Sequence, residues 1–384
     1  MKRLIFLLLL IISCSCRNFS TSSAFDSIEK IQGQADAVKL EIVDTLVVNA
    51  TSTSLSGEWL LPDSTLVFLD KAIVPIKRFS LTGEYQDRFF RYGRGPEEFI
   101  SPALSFHKLR PDSYLYVDRN SNLILLDSVF RRKKEINFLR EIARDIDPEE
   151  LYRHPDPENP AMYELELGDN QISVFGGKII CPVTTEHIRY NGYLKNSKAF
   201  DFYRRSYTLV ALDTATLNFE QTFGNYPPVY HNKIIPNFKT CHTATDGNLL
   251  YVSYEADPKI YVYDKQLALH GYFGEAVPGI SSGFPSTNDL DEAERNYKMH
   301  RKTCGYYSKI KCADNYLFRR YQLPGERPGL QIYREGMLVC DTLPAYSTFD
   351  IIGYYPPYYY ALAGTDLENE TFSLITFKLK QDEK

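Results

Sequence analysis

Apolar and polar positions along this chain of 384 residues fall into short apolar runs, each closed by a polar residue suited to start a turn. Six runs share one form: 76–80 (Ile-Lys-Arg-Phe-Ser), 123–127 (Leu-Ile-Leu-Leu-Asp), 209–213 (Leu-Val-Ala-Leu-Asp), 260–264 (Ile-Tyr-Val-Tyr-Asp), 330–334 (Leu-Gln-Ile-Tyr-Arg) and 374–378 (Leu-Ile-Thr-Phe-Lys). Their last residues are spaced by 47, 86, 51, 70 and 44 positions. Three of those steps match the period of roughly 40 to 50 residues expected of four-stranded repeats. The other two carry insertions.

Other signals keep the same phase. A second strand-like run precedes several of the six, at 66–69, 114–117, 249–254 and 316–321, and Asp246-Gly247-Asn248 supplies a tight turn before the fourth. A glycine closes the exit of three repeats, at Gly93, Gly224 and Gly274. Four consecutive antiparallel strands cannot cover both of their own faces, so such a unit is stable only when it stacks on copies of itself. The pattern predicts an all-β chain: a six-bladed β-propeller of four-stranded antiparallel blades, with short helical insertions. Residues 38–48 (Val-Lys-Leu-Glu-Ile-Val-Asp-Thr-Leu-Val-Val) have no meander of their own. They are expected to form the outer strand of the C-terminal blade and so remove its open edge. A β-sandwich with long loops is the competing architecture.

Two insertions interrupt the ruler, at about 139–169 and 284–303. The first opens with a helix-like stretch, Leu139 to Ile146, followed by Asp147-Pro148-Glu149-Glu150, where proline suits a helix start. The second contains Asn288 to Tyr297, with acidic residues placed for a first helical turn. Long loops on a rigid ring are where specificity commonly resides.

The first residues carry a different message. Lys2 and Arg3 precede an apolar stretch from Leu4 to Ile12 that is too short to cross a bilayer, which makes 1–13 a secretory signal. Ile11-Ile12-Ser13-Cys14 resembles the bacterial lipobox, which implies lipidation of Cys14 and attachment to a membrane through acyl chains (palmitate and the like). An ordinary signal cut near Cys16 is the alternative. Residues 14–36 read as a polar tether, leaving 37–380 as a single propeller domain. Ser15, where an Asp would resemble an inner-membrane retention signal, and the lack of a following acidic cluster, which would resemble a surface-export signal, favour an outer-membrane lipoprotein facing the periplasm.

A net charge of −5 gives no electrostatic case for nucleic acid. Tyr (29) and Phe (23) dominate the aromatic residues, as suits pleated, half-buried surfaces. After Cys14 and Cys16, five cysteines remain, with no metal-ligand spacing. Export permits disulfides, and Cys304 with Cys312 is the expected pair, buried free thiols being the alternative.

Tyr92-Gly93-Arg94-Gly95-Pro96-Glu97-Glu98-Phe99 reads as the exit of the first blade, with Gly93 and Gly95 allowing a tight turn, Pro96 stiffening the path and Phe99 closing the phrase. With the lipobox and the repeats, this phrase resembles the six-bladed β-propeller lipoproteins of Bacteroidota, which are related in architecture to NHL and TolB-like propellers. That family usually carries Gly-x-Gly-Pro-Gly-Glu-Phe; here Glu97 replaces the middle glycine. Much of the family has no assigned activity, so the resemblance speaks to fold and location.

No catalytic or metal motif appears: the histidines are scattered, and no Gly-x-Ser-x-Gly elbow is present. His107 and His242 each follow a blade exit, where the chain turns toward the channel, and are candidates for a common mouth. Tyr354, Tyr355, Tyr358 and Tyr359 flank Pro356-Pro357 and are candidates for stacking on sugar or peptide, held extended by the prolines. The reading is a binding or scaffold module of the cell envelope. Its expected partners are the membrane through the lipid and an envelope protein, peptide or glycan, with no cofactor and no metal. A metal-dependent hydrolase or lyase at the central channel is the alternative, and a purely structural lipoprotein a third.

Overall fold

The computed structural model describes residues 24–381 apart from 51–52, 96, 145, 167, 169–170 and 194–197. The signal segment, Cys14 and Pro96 lie outside the described residues. Within them, six small antiparallel sheets form a closed ring. Blade 1 comprises Gly57–Leu60, Leu66–Asp70, Ile76–Phe79 and Tyr85–Phe89; blade 2 comprises Ala103–Arg110, Ser113–Asp118, Asn122–Asp127 and Arg132–Asn137. In blade 3 the inner position is shared by Glu164–Leu165 and Ser173–Phe175, which pair with different parts of Lys178–Thr184; Tyr207–Asp213 and Phe219–Asn225 follow. Blade 4 runs through Cys241–Thr245, Leu250–Tyr254, Ile260–Tyr263 and Leu269–Phe273, and blade 5 through Tyr306–Ala313, Tyr316–Leu323, Arg327–Arg334 and Met337–Thr342.

Blade 6 takes Asp350–Tyr355, Tyr358–Asp366 and Thr371–Gln381 from the C-terminal end, and its fourth strand is Val38–Asn49. The two ends pair antiparallel from Val38 opposite Gln381 to Asn49 opposite Thr371, with one bulge between Ile42 and Asp44. The N-terminal strand therefore closes the ring, as expected of a segment with no meander of its own.

All six ruler segments are third strands, and burial explains why they were visible. A third strand lies between two partners in its own sheet and two neighbouring blades, so Leu209 to Leu212 and Ile260 to Val262 are almost fully excluded from solvent. Their closing aspartates shape the turns to the fourth strand: the Oδ1 of Asp127 accepts from the backbone N–H of Val129 and Arg131, and that of Asp264 accepts from Gln266 and Ala268. Aromatic rings fill the wedges between blades. Trp59 of blade 1 meets Phe68, Phe79 and the blade 6 residue Phe372 at centroid distances of 5.2, 5.1 and 5.3 Å.

Three expectations need correction. Residues 24–36, read as part of a free tether, instead run along the outer edges of blades 4 and 5. Phe25 packs on Tyr261 at 4.9 Å, the Ile31 N–H donates to the Tyr272 carbonyl at 2.7 Å, and Lys30 pairs with Glu275 at 2.6 Å. Ile28 and Ile31 also pack on the ring, but three apolar residues set among polar ones show no strand period to read. Cys304 and Cys312 form no disulfide. Cys304 precedes the strand Tyr306–Ala313 and Cys312 lies near its end, so a rise of about 3.3 Å per residue separates them by roughly 26 Å, whereas a disulfide needs Cα atoms within about 7 Å. The first insertion helix is shorter than expected, ending at Ile142.

Helix ends follow the sequence signals. Asp147 caps Pro148–Arg153 by accepting from the Glu149 N–H, and Asp289 caps Leu290–Thr303 by accepting from that of Glu292. A third helix, Lys198–Arg205, lies between the second and third strands of blade 3.

Candidate functional site

Strand order fixes which loops share a face. In each blade the first strand begins where the previous blade ends, and antiparallel pairing returns the connection between second and third strands to that same face. The long segments 138–163, 185–206, 226–240 and 274–305 are all of these two kinds, so they crowd one face of the ring over blades 3 to 5. The opposite face carries short hairpins.

Along the axis lies a cavity of about 500 Å³, walled by the inner strands of all six blades. Its lining includes Trp59 from blade 1, His107 from blade 2, Gln171 from blade 3, His242 from blade 4, Lys309 and Lys311 from blade 5 and Tyr354 from blade 6. His107 and His242 thus share one cavity, as their positions after the blade exits suggested, but they occupy walls two blades apart. The His107 Nε2 lies 2.8 Å from the Ser105 hydroxyl. His242 is 6% exposed; its Nδ1 lies 3.4 Å from the Gln171 side-chain nitrogen, and its Nε2 lies 3.9 Å from Glu255.

Two charged networks flank the cavity. In the first, Lys309 stands between Glu58 at 3.8 Å and Asp350 at 3.4 Å, and Arg320 also pairs with Asp350, so blades 1, 5 and 6 are joined by charge. Burial works against the Asp350 carboxylate, yet Lys309 and Arg320 outweigh it and hold its pKa below the ordinary aspartate value. In the second network, Arg301 on the insertion helix Leu290–Thr303 reaches Glu255 at 2.7 Å while its guanidinium lies 3.6 Å from the centre of the Tyr306 ring. Nearby, burial raises the pKa of the Glu166 carboxyl against the opposing pull of Lys239, and Thr240 donates to it at 3.4 Å. Lys239 in turn donates to the Thr184 hydroxyl at 2.7 Å. A loop insertion therefore contributes directly to the support of a channel-wall histidine.

Among the described residues, no group of three or more His, Cys, Asp or Glu side chains is placed to hold a metal ion. No described helix is long and apolar enough to cross a membrane.

The tyrosine run divides. Instead of being held extended by its prolines, the chain reverses at Pro356-Pro357, and Tyr354 and Tyr355 pair with Tyr359 and Tyr358 across a hairpin on the face opposite the long loops. Tyr354 lines the cavity and Tyr355 is exposed. Tyr358 is half-buried, while Tyr359 is buried, stacks on Phe377 at 5.2 Å and donates to Asp314 at 3.1 Å. Only part of the run is thus available to a ligand.

The Gly93–Phe99 phrase is a blade junction on the loop face. The Glu98 carboxylate accepts from the Gly95 N–H at 2.8 Å, the Gly93 N–H donates to the Phe99 carbonyl at 3.1 Å, and Phe99 is buried beneath Arg132. Gly93 has φ +154°, and a Cβ there would lie 2.1 Å from Glu98 Oε2. Glycine suits this position by conformation, and a Cβ here would push the Glu98 carboxylate away from the Gly95 N–H it holds.

Sequence reading missed Gln171, Lys239, Glu255, Arg301, Arg319 and Arg320. No local pattern marks them, because their partners lie in other blades or in insertions.

No protein-family profile and no curated protein matches the sequence. Solved structures do match in fold. A member of the DUF4221 family from Bacteroides vulgatus superposes with a TM-score of 0.66 at 13% identity, covering 91% of this chain and 100% of its own. A protein from Bacteroides fragilis described as exported gives a TM-score of 0.54 at 14% identity, covering 92% of this chain and 98% of its own. At these identities the similarity speaks to the propeller fold.

Proposed function

We propose that this protein is an exported, lipid-anchored β-propeller that acts as a binding or scaffold module of the cell envelope, engaging its ligand at the loop-bearing mouth of the central channel. One observation carries the reading: the long insertions gather on a single face of the ring, and one of them places Arg301 on the carboxylate behind the channel-wall His242. A rigid ring, long loops on one face and an axial cavity of mixed polar and apolar lining are the arrangement of a recognition surface. Export and anchoring are supported by the basic and apolar start of the chain, by Ser13-Cys14, and by the description of the Bacteroides fragilis neighbour as exported. The outer membrane, with the ring facing the periplasm, is the proposed location.

The test uses the full chain purified from membranes and cross-linked to envelope proteins and to an array of envelope glycans. Saturable binding is expected, and it should be lost when the exposed Tyr297 and Met299 of the insertion helix are both changed to Ser. Changing Tyr355 on the opposite face should leave it intact. Binding that follows Tyr355 and ignores the insertion helix would overturn the assignment of the face. The catalytic alternative keeps one observation in its favour, that His107 and His242 share a cavity with Glu58 and Asp350. A stoichiometric metal ion retained through dialysis would favour that alternative.

A further inference from the structure

Turns between third and fourth strands carry a recurring filler. In blades 2, 3 and 4 each such turn holds one apolar residue at positive φ, Phe130, Leu217 or Leu267, and packs its side chain into the ring. Phe130 lies 4.8 Å from the Phe89 ring of blade 1 and 4.9 Å from the Tyr114 ring of its own blade, so it fills the wedge between them. In blade 1 the turn carries Gly83, and Val48 of the closing strand packs against it instead. Blade 5 departs from this pattern. Its turn is Glu335-Gly336, both at positive φ, with no apolar side chain to insert.

The wedge between blades 4 and 5 is accordingly open. It holds a cavity of about 570 Å³, rimmed by the turns at 246–248, 314–315 and 334–336 on the face opposite the long loops. Phe273 and Leu317 form its apolar floor, and the half-buried Leu249, Tyr251 and Tyr316 its walls. Ile31 of the N-terminal segment, which would stand 3.2 Å from a Cβ on Gly336, closes the outer side without filling the space. Size and lining are those of a small-molecule site.

Charge narrows the class. The rim carries Asp246, Asp314 and Glu335 against Arg334, three negative charges to one positive. None of these carboxylates forms an ion pair among the described residues, and they are not grouped to hold a metal ion. Asp246 accepts from the Tyr251 hydroxyl at 2.8 Å and Asp314 from the Tyr359 hydroxyl at 3.1 Å, whereas the Glu335 carboxylate has no hydrogen bond among the described residues. Arg334 lies over the Tyr316 ring, 5.6 Å from its centre. An apolar cleft with aromatic walls and an acidic rim is complementary to an apolar body bearing a cationic head.

We propose that the wedge between blades 4 and 5 binds a small organic amine, its apolar body seated against Leu249, Tyr251 and Phe273 and its ammonium at the acidic rim, with Glu335 as the principal partner. The site lies on the face opposite the loops and does not depend on the loop-face reading.

Calorimetric titration of the full chain with tryptamine and phenethylamine, and with their neutral counterparts tryptophol and 2-phenylethanol, tests it. Saturable binding of at least one amine is expected, with its alcohol at least about tenfold weaker, because the charged head adds ion-pair and cation–π attraction. Glu335→Gln should reduce that preference, and the double variant with Asp314→Asn should abolish it while leaving the alcohol unchanged. Both substitutions keep the shape of the side chain, and Asn tolerates the positive φ of Asp314. Leu249→Trp fills the cleft and should abolish binding of amine and alcohol alike. Thermal melts establish that each variant folds. Binding of neither amine, equal binding of amine and alcohol, an unchanged preference in the double variant, or unchanged binding in folded Leu249→Trp overturns the proposal. So does a crystal structure at saturating amine with the wedge empty. Changing Tyr297 and Met299 to Ser on the loop face should leave amine binding intact, so the loop-face reading and this site stand or fall separately.

Discussion

Replacing Arg319 with Met should loosen the junction between blades 4 and 5 more than any exposed substitution. Arg319 sits on the second strand of blade 5 with no solvent exposure. Its guanidinium donates to the Pro258 carbonyl at 2.6 Å, the Glu275 carbonyl at 3.0 Å, Gln331 Oε1 at 3.1 and 2.5 Å and the Tyr333 hydroxyl at 2.9 Å, and it lies 4.1 Å from the centre of the Tyr307 ring. Pro258 and Glu275 belong to blade 4 loops, so this one side chain ties two blades together. Methionine has a similar stem but no donors. Hydrogen bonds to a charged group contribute about 1.5–3 kcal/mol each, and a buried acceptor left unmet costs about 1–3 kcal/mol. Removing the charge also relieves a desolvation penalty of several kcal/mol. Gln331 Oε1 keeps the Tyr333 hydroxyl and the Glu275 carbonyl keeps Gln331 Nε2, so the Pro258 carbonyl is the main orphan. The net loss should be about 2–4 kcal/mol. Arg319→Lys should not restore it, since one ammonium cannot span acceptors in both blades. The assay is urea unfolding followed by circular dichroism and by the fluorescence of the single tryptophan, Trp59, with coincident transitions required before free energies are compared. A variant as stable as the parent would refute the reasoning, because the ring would then not depend on this polar junction.

Gly93→Ala should destabilise the first junction by about 1–3 kcal/mol, since a Cβ collides with the carboxylate that holds the turn, and the melting temperature should fall accordingly. Glu98→Gln keeps an acceptor for the Gly95 N–H and should cost less. Asp350 gives a pH signature: its pKa is depressed in the folded protein, so its contribution to stability is complete above the unfolded value near about 3.9 and fades as pH falls through the lower folded value. Urea midpoints measured from pH 5 down to pH 3 should therefore drop more steeply in the parent than in Asp350→Asn.

The fold was legible where local chemistry and burial agreed. Third strands such as 209–212 and 260–263 are covered on all sides and carry an apolar or aromatic residue at every position, and the aspartates that follow them cap the next turn through the backbone. The closing strand was legible because Val38 and Val48 are buried at its ends and it has no hairpin partner beside it in sequence. The site was legible only in part. His107 and His242 were found because both stand on first strands after a blade exit, whereas Gln171 lies 71 positions from His242, and Arg301 lies 46 positions from Glu255. Such pairs exist only once the ring has formed. The docked segment 24–36 was misread for a related reason: it continues the serine-rich stretch before it with mostly polar residues, as a linker does, and it attaches through backbone hydrogen bonds and a few isolated apolar side chains that set no period.

The candidate site exists only if the beginning of the chain completes its last blade, and an engineered disulfide measures that directly. Val47 is exposed and stands opposite Ser373 in the closing pair of strands. The double substitution Val47→Cys and Ser373→Cys should yield a peptide cross-linked between those two positions under mild oxidation of the folded protein. Failure to form that cross-link in a folded sample, with both thiols recovered by alkylation, would contradict the closed ring and the axial site built on it.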